Sequence, residues 1–244
     1  DPELSNLLFK LLSEQYDVSL AKNGKQALEL IQNNRIDLLV SDVMMPEMDG
    51  LTLCRTMKTD ILTSHIPVIL LTAKTDIENR IEGLEMGADS YIPKPFHPKH
   101  LFVRIEKLLK AREQFSEYFR VNFGTPSYNL EENYSARDKE LLERCVEFIE
   151  QNFSNENIDA DLLASHLAMS KAQLYRKIKA LTGLTPHGLI KNFRIKKARQ
   201  LIAEGEHSIT DIIYMTGFNN RTYFYRSYKE IFGETPGDIH KKNT

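Results

Sequence analysis

The stretch that decides the fold is IDLLVSDVMMPEMDG, residues 36–50. Its first half is an apolar run typical of a strand buried on both faces of a parallel sheet, and this run ends on Asp42. Its second half turns at Pro46 and leads into a helix at Asp49 and Gly50. Ligands of open α/β sheets bind at the carboxyl ends of the strands, so Asp42 is a candidate functional residue.

Two later strands also end on polar side chains. Residues 67–72 (PVILLT) predict a second apolar strand that ends on Thr72, and a third, shorter one runs through Tyr91 to Lys94. A carboxylate, a hydroxyl and an ammonium group are therefore expected at one edge of the sheet. This set suits a phosphoryl group, with Asp42 as nucleophile, the threonine as hydrogen-bond donor and the lysine as counter-charge.

The pattern D-x-x-M-P-x-M-D-G from Asp42, followed by Thr72, Tyr91 and the Lys94-Pro95 pair, resembles a response-regulator receiver domain. The resemblance implies a flavodoxin-like fold over residues 1–113, a phosphoacceptor role for Asp42, and phosphoryl-binding or switch roles for the other three. It also implies Mg²⁺ bound by Asp42, the backbone carbonyl of Met44 and an acidic pair on a first strand. We expect that strand and its acidic pair to lie upstream of Asp1.

Strands and helices alternate along the first half, which predicts a doubly wound parallel sheet. The expected helices cover 2–13, 24–34, 51–58, 76–86 and 98–112, and a short strand is expected at 16–21. Residues 114–134 form a linker without a clear helical or alternating pattern. Because this linker is rich in aromatic residues, we expect it to pack on a neighbouring domain. Its rings are Phe115, Tyr118, Phe119, Phe123, Tyr128 and Tyr134.

The 244 residues carry a net charge of −2, and 41% of them are hydrophobic, which fits two compact domains. The charge is uneven, since residues 155–244 hold 14 Lys and Arg against 9 Asp and Glu. This basic third is where a nucleic-acid interface is expected. Cys54 and Cys145 each lie in an apolar helical pattern, so we expect both to be reduced thiols. No stretch is apolar and long enough to predict a membrane span. Together these features lead us to expect a cytoplasmic location.

From Asp161 the chain repeats itself with a period of 50 residues, which predicts two copies of one supersecondary unit. Each copy reads as a short helix, a turn and a second helix, that is, a helix-turn-helix. The second helices begin after the capping residues Ser170 and Asn220. The identical pairs are Asp161/Asp211, Tyr175/Tyr225, Arg176/Arg226, Lys179/Lys229, Gly183/Gly233, Thr185/Thr235 and Pro186/Pro236.

Basic and aromatic residues share the predicted exposed face of each second helix, which suits the major groove of DNA. The DNA-binding candidates are Lys171, Tyr175, Arg176 and Lys179 in the first copy and Arg221, Thr222, Tyr225, Arg226 and Lys229 in the second. Between the copies, residues 186–204 predict a helix of roughly 28 Å, close to one turn of B-DNA. Its candidates for DNA-phosphate contact are Lys191, Arg194, Lys196 and Lys197.

The strings SKAQLYRKIKALTGLTP and GFNNRTYFYRSYKEIFGETP resemble an AraC-type DNA-binding domain, which we place at residues 135–244 as an all-α domain with two helix-turn-helix units. The resemblance implies base-reading positions in both second helices. In the first copy one of these positions is the small Ala172, which weakens the case for a base contact there.

Together the two resemblances imply a transcription regulator, not an enzyme, that is controlled by phosphorylation of Asp42. They imply a histidine kinase as partner, in the same polypeptide if this chain is the output end of a hybrid two-component sensor. Phosphorylation is expected to promote a homodimer that binds double-stranded promoter DNA. Two alternatives stay open: a constitutive DNA binder whose receiver only dimerises, and a phosphorelay carrier. A hydrolase is disfavoured because Met44 occupies the position where such enzymes use a second acid.

Overall fold

The computed structural model describes residues 2–73, 87–123 and 135–240, which fall into two compact units, Asp1–Gln114 and Phe115–Thr244. The helix expected at 76–86 and the aromatic residues Tyr128 and Tyr134 lie outside the described residues. In the part of the chain that is described, no helix is long and apolar enough to cross a membrane.

The first unit is a parallel sheet with helices on both faces. Its strands lie in the order β1-β2-β3, with Asp42 opposite Leu71 and Thr72 opposite Pro93. The predicted doubly wound, flavodoxin-like fold class is thus confirmed. The elements are α1 (Pro2–Leu12), α2 (Gly24–Asn33), β1 (Leu39–Asp42), α3 (Gly50–Thr59), β2 (Val68–Ala73), β3 (Ser90–Lys94) and α4 (Pro98–Asn122).

Strand β2 shows why the sheet needs a layer on each face. Its alternate side chains enter opposite clusters, with Val68 and Leu70 on the α2–α3 side and Ile69 and Leu71 on the side of α1 and α4. All four are at most 3% exposed. A strand with both faces buried must be apolar throughout, as the sequence PVILLT predicted.

Three predicted elements were wrong in extent or type. Strand β1 is limited to Leu39–Asp42 and its first two residues are only partly buried, because in the described sheet it is an edge strand. Residues 17–21 are not a strand, since no described strand lies beside them to share a hydrogen-bonded ladder. Helix α4 continues ten residues past the expected end at Arg112, into the linker segment in which the sequence showed no clear helical pattern.

The second unit is entirely helical in its described residues, and the two predicted helix-turn-helix units are confirmed. They are α6–α7 and α9–α10, and the long helix α8 lies between them in the chain. The helices are α5 (Ala136–Asn152), α6 (Ala160–His166), α7 (Lys171–Thr182), α8 (Pro186–Glu204), α9 (Ile209–Met215), α10 (Arg221–Phe232) and α11 (Pro236–His240).

The end of α4 belongs to the core of this second unit. Phe119 and Phe123 are fully buried and stack at 5.0 Å between ring centroids, and Phe123 lies 5.6 Å from the ring of Phe193 on α8. The expectation that the aromatic segment packs on a neighbour is confirmed for these residues. The turns of α4 beyond Arg112 could not be predicted from helix propensity, because the packing of these aromatic rings stabilises them.

A buried ion pair joins the first helix of the second unit to α7. Nζ of Lys177 lies 2.6 Å from Oδ1 of Asp138, and the two side chains are 0% and 2% exposed. At the N-terminus of α5, the Ser135 hydroxyl accepts a hydrogen bond from the Asp138 amide. The Asp138 carboxylate itself forms the ion pair with Lys177 on another helix.

Candidate functional site

The loop after β1 is folded back tightly against the strand, which fixes the position of Asp42. The Gly50 amide donates to the carbonyl of Val43 at 2.9 Å, and Asp49 caps α3 by accepting from the Thr52 amide at 2.7 Å. A Cβ atom on Gly50 would lie 2.2 Å from the carbonyl oxygen of Asp42, so the helix can approach the strand end this closely only with glycine.

Asp42 and Lys94 form an ion pair at the carboxyl edge of the sheet. Nζ of Lys94 lies 2.5 Å from Oδ2 of Asp42, and the Met44 amide donates to Oδ1 at 3.3 Å. The side chains are 20% and 25% exposed, so the carboxylate remains accessible to a reactant. The arrangement therefore provides a reachable nucleophilic oxygen beside a cation that can neutralise a new negative charge.

Thr72 and Tyr91 lie on the neighbouring strands near this pair. Thr72 is 2% exposed, and its hydroxyl donates to the carbonyl of Ala73 at 3.3 Å rather than to Asp42. Tyr91 is half-buried and packs against the apolar cluster on the α2–α3 side of the sheet. The structure thus brings Asp42 and Lys94 into contact and places the other two predicted residues on adjacent strands.

The described residues do not by themselves form a magnesium site. Within them, no group of three or more His, Cys, Asp or Glu side chains is placed to hold a metal ion. Asp42 and the backbone carbonyl of the exposed Met44 are the two predicted donors they supply, whereas Mg²⁺ prefers six oxygen ligands.

Two residues that local sequence patterns did not identify stabilise the loop at the carboxyl edge of the sheet. Asn23 caps α2 by accepting from the Gln26 amide, and its own amide group donates to Oε1 of Glu47 at 2.6 Å. Glu47 adopts the left-handed conformation, with φ of 63°, in the loop after β1. The only sequence signal was an asparagine before a helix, which predicts the cap but not its partner in a loop 24 residues away.

The second helices of the two helix-turn-helix units, α7 and α10, have the same pattern of exposure at nine consecutive equivalent positions. Both start with a side-chain cap: the Ser170 hydroxyl accepts from the Gln173 amide, and Oδ1 of Asn220 accepts from the Tyr223 amide. Of the predicted DNA-binding residues, the two tyrosines are half-buried and the others are exposed: Lys171, Arg176, Lys179, Arg221, Thr222, Arg226 and Lys229.

The prediction of phosphate contacts along α8 is contradicted for Arg194 and Lys196, which are only 9% and 6% exposed. Arg194 donates to the carbonyls of Phe153 and Asn155 at 2.9 and 2.6 Å. Lys196 donates to two carbonyls in the last turn of α4 at 2.9 and 2.6 Å. These two side chains hold the second unit together and are not available to DNA.

The other basic residues of α8 differ from one another. Lys191 forms an ion pair with Glu230 at 3.0 Å, and Arg199 forms one with Glu234 at the same distance. Lys197 is half-buried and has no hydrogen bond or ion pair with another described residue. Lys197 is therefore the residue of α8 for which the predicted contact with a DNA phosphate is best supported.

Burial and pairing shift several pKa values in this unit. Burial lowers the pKa of Lys196 to about 8, and it also lowers the pKa of Arg194. On the exposed surface, a hydrogen bond to Asp161 raises the pKa of Lys171. Burial raises the pKa of the Cys145 thiol to about 12, and the thiol is free and buried, as expected of a reduced structural cysteine.

Two family models match the chain, the response regulator receiver domain over residues 1–106 and a helix-turn-helix domain over residues 163–242. Histidine kinase P4 from Formosa agariphila is 40% identical over 95% of this chain, which spans 17% of that protein. The DNA-binding response regulator MtrA from Mycolicibacterium smegmatis is 40% identical over 46% of this chain and 49% of that protein.

Among solved structures, the receiver domain of a signal transduction histidine kinase from Syntrophus aciditrophicus is 34% identical. The match covers 54% of this chain and 93% of that one, with a TM-score of 0.45. Receiver domains as a family bind Mg²⁺ at the phosphorylation site. By the two family matches, the chain contains a response-regulator receiver domain followed by an AraC-type helix-turn-helix domain, a combination that indicates a regulatory role for these two domains.

Proposed function

We propose that this chain is a phosphorylation-controlled transcription regulator. A histidine kinase phosphorylates Asp42, and the modified receiver promotes dimerisation and sequence-specific binding of promoter DNA by the AraC-type domain. The observation that carries the proposal is the 2.5 Å contact between Asp42 and Lys94 in a chain that also presents two equally exposed reading helices, α7 and α10.

In the phosphoryl transfer, a carboxylate oxygen of Asp42 attacks the phosphorus of a phosphohistidine. A P–O bond forms, the P–N bond breaks, and the imidazole nitrogen keeps the electron pair. Lys94, which now neutralises the carboxylate, then faces the additional charge of the phosphoryl group. Thr72 exchanges its bond to the Ala73 carbonyl for one to a phosphoryl oxygen, and Tyr91 responds to that movement as the switch aromatic.

Asp42 and the backbone carbonyl of Met44 would hold a magnesium ion as two of its oxygen ligands. Further acidic ligands from outside the described residues are needed to complete that site. The 40% identity to a histidine kinase over 95% of the chain supports the idea that the phosphoryl donor is a kinase domain of the same polypeptide.

The DNA half of the proposal is supported by the chemistry of the exposed helix faces. Arg176 and Arg226 occupy equivalent exposed positions, and an arginine in the major groove can donate two hydrogen bonds to guanine, worth about 1–3 kcal/mol of discrimination. The half-buried Tyr175 and Tyr225 offer ring edges beside them. Lys197 on α8 is the candidate for phosphate contact.

Phosphorylation is tested by incubating the natural polypeptide that carries this chain with a phosphorylated kinase domain and Mg²⁺, and measuring phosphoryl incorporation by intact mass. Asp42→Asn is expected to abolish incorporation. Asp49→Asn is the matched control, because it removes a carboxylate from the same loop while asparagine keeps the helix cap. Equal incorporation in wild type and Asp42→Asn would contradict the assignment.

Two measurements separate the proposal from its alternatives. Arg176→Ala and Arg226→Ala are each expected to weaken specific DNA binding by about 1–3 kcal/mol, whereas Lys139→Ala on α5 removes the same charge and leaves it intact. Unchanged binding in the arginine variants would favour a phosphorelay carrier. If phosphorylation changes neither dimerisation nor DNA affinity, the constitutive binder is correct instead.

A further inference from the structure

In the second reading helix, α10, both exposed arginines lie over tyrosine rings of the same helix. Cζ of Arg226 lies 5.4 Å from the ring centroid of Tyr223, and Cζ of Arg221 lies 5.6 Å from that of Tyr225. Both distances are within the roughly 6 Å range of a cation–π interaction. The arginine side chains are therefore partly ordered before any DNA arrives.

Tyr223 is itself held at both ends. Its ring is half-buried against the apolar cluster of this half of the unit and lies 6.0 Å from the ring of Phe218. Its hydroxyl lies 3.1 Å from Nε2 of His187, in the first turn of α8. A ring fixed by packing and by a hydrogen bond to another helix gives Arg226 a support that cannot easily rotate away.

The first reading helix, α7, lacks this arrangement although the two copies share so many residues. The position equivalent to Tyr223 is Gln173, whose Oε1 accepts from the Ser170 amide at 2.9 Å in a capping box. The position equivalent to Arg221 is Lys171, which forms an ion pair with Asp161 at 2.8 Å. Among described residues, the cation–π contacts of the reading helices are confined to α10.

We propose that Tyr223, fixed by His187, is a positioning residue that holds Arg226 for readout of one base pair, and that the second reading helix discriminates bases more strongly than the first. This inference rests on the proposed DNA-binding function. Pre-ordering a long side chain reduces the conformational entropy lost on binding, so the benefit appears at the base that Arg226 contacts. In α7, by contrast, Lys171 must leave Asp161 before it can contact DNA.

The test begins with the full chain, a site selected from random-sequence DNA and a panel of its single base-pair variants. Arg226→Ala identifies the base pair that this arginine reads. Tyr223→Leu is expected to reduce discrimination at that same base pair about two- to fivefold, the equivalent of an exposed cation–π contact. Tyr223→Phe, which keeps the ring and its packing but loses the hydroxyl, is expected to give a smaller loss there.

Two comparisons make the result decisive. Gln173→Leu, the equivalent change in α7, should leave discrimination at the Arg226 base pair unchanged. In the Arg226→Ala background, Tyr223→Leu should have no further effect at that base pair. Unchanged discrimination in both Tyr223 variants, a uniform loss across the panel, or additive effects in the double variant would overturn the inference. If Arg226→Ala alters no base preference, the proposed reading role of α10 fails instead.

Discussion

The buried pair of Lys177 and Asp138 provides a quantitative test of how the first helix-turn-helix is anchored. Their charged atoms are 2.6 Å apart, and both side chains are excluded from solvent. Lys177→Met keeps a long unbranched side chain but leaves the Asp138 carboxylate buried without its cation. Removing one partner of such a pair costs about 3–5 kcal/mol of the free energy of unfolding.

This cost translates into a large change in melting temperature. The second unit contains 130 residues, and an unfolding entropy of about 2.1 cal/mol/K per residue gives a shift of about 3.7 °C for each kcal/mol. Lys177→Met is therefore expected to lower the Tm of the second unit by about 11–18 °C. Differential scanning calorimetry of the full chain measures this transition.

Two further variants control the interpretation. Replacing both partners, as Lys177→Met with Asp138→Leu, should recover most of the loss because no buried charge remains. Ser227→Ala is the matched control at the equivalent position of α10, where the serine hydroxyl is buried and has no hydrogen-bond partner among described residues. It should leave the Tm unchanged or slightly higher. A Tm for Lys177→Met within a few degrees of wild type would refute the reasoning.

Three other predictions concern single residues. The pKa of Lys196 is about 8 in the folded chain and 10.5 in the unfolded chain, so between these pH values the unfolded chain binds more protons and the free energy of unfolding rises with pH. Denaturant titrations should show this rise in the wild type but not in Lys196→Met. The same dependence of the free energy of unfolding on pH in both proteins would contradict the prediction. Gly50→Ala is expected to destabilise the first unit and reduce phosphorylation of Asp42, since its Cβ would overlap the strand, whereas Gly237→Ala, with open space around it, should have no effect on either measurement. Burial raises the pKa of Cys54 to about 11, so an alkylating reagent at neutral pH should label it only as fast as the first unit unfolds; rapid labelling of the native protein would show that the thiol is reachable.

Local patterns in the sequence were sufficient to predict most of the first unit. The apolar run of β2 is typical of a doubly buried strand, and in a parallel sheet the polar residues at successive strand ends lie at one edge. The strand expected at residues 16–21 was wrong because a strand depends on its neighbour, which a local pattern does not describe.

The errors in the second unit have one physical cause. The basic residues of α8 looked like a surface for DNA phosphates, but the partners of Arg194 and Lys196 are backbone carbonyls 39 to 76 positions earlier in the chain. Every residue has a backbone carbonyl, so the sequence does not indicate which carbonyl will accept a hydrogen bond from a buried cation. The contact of Arg226 with Tyr223 is local, three residues apart on α10, but the hydrogen bond between Tyr223 and His187 of another helix has no sign in the sequence.

The central claim is that a phosphoryl group on Asp42 controls DNA binding by α7 and α10. The most direct measurement is the affinity of the natural polypeptide for its selected DNA site, before and after phosphorylation, with Asp42→Asn treated in parallel. Tighter binding is expected after phosphorylation of the wild type, and no change is expected in the variant. Equal affinity of the phosphorylated and unphosphorylated wild type would contradict it.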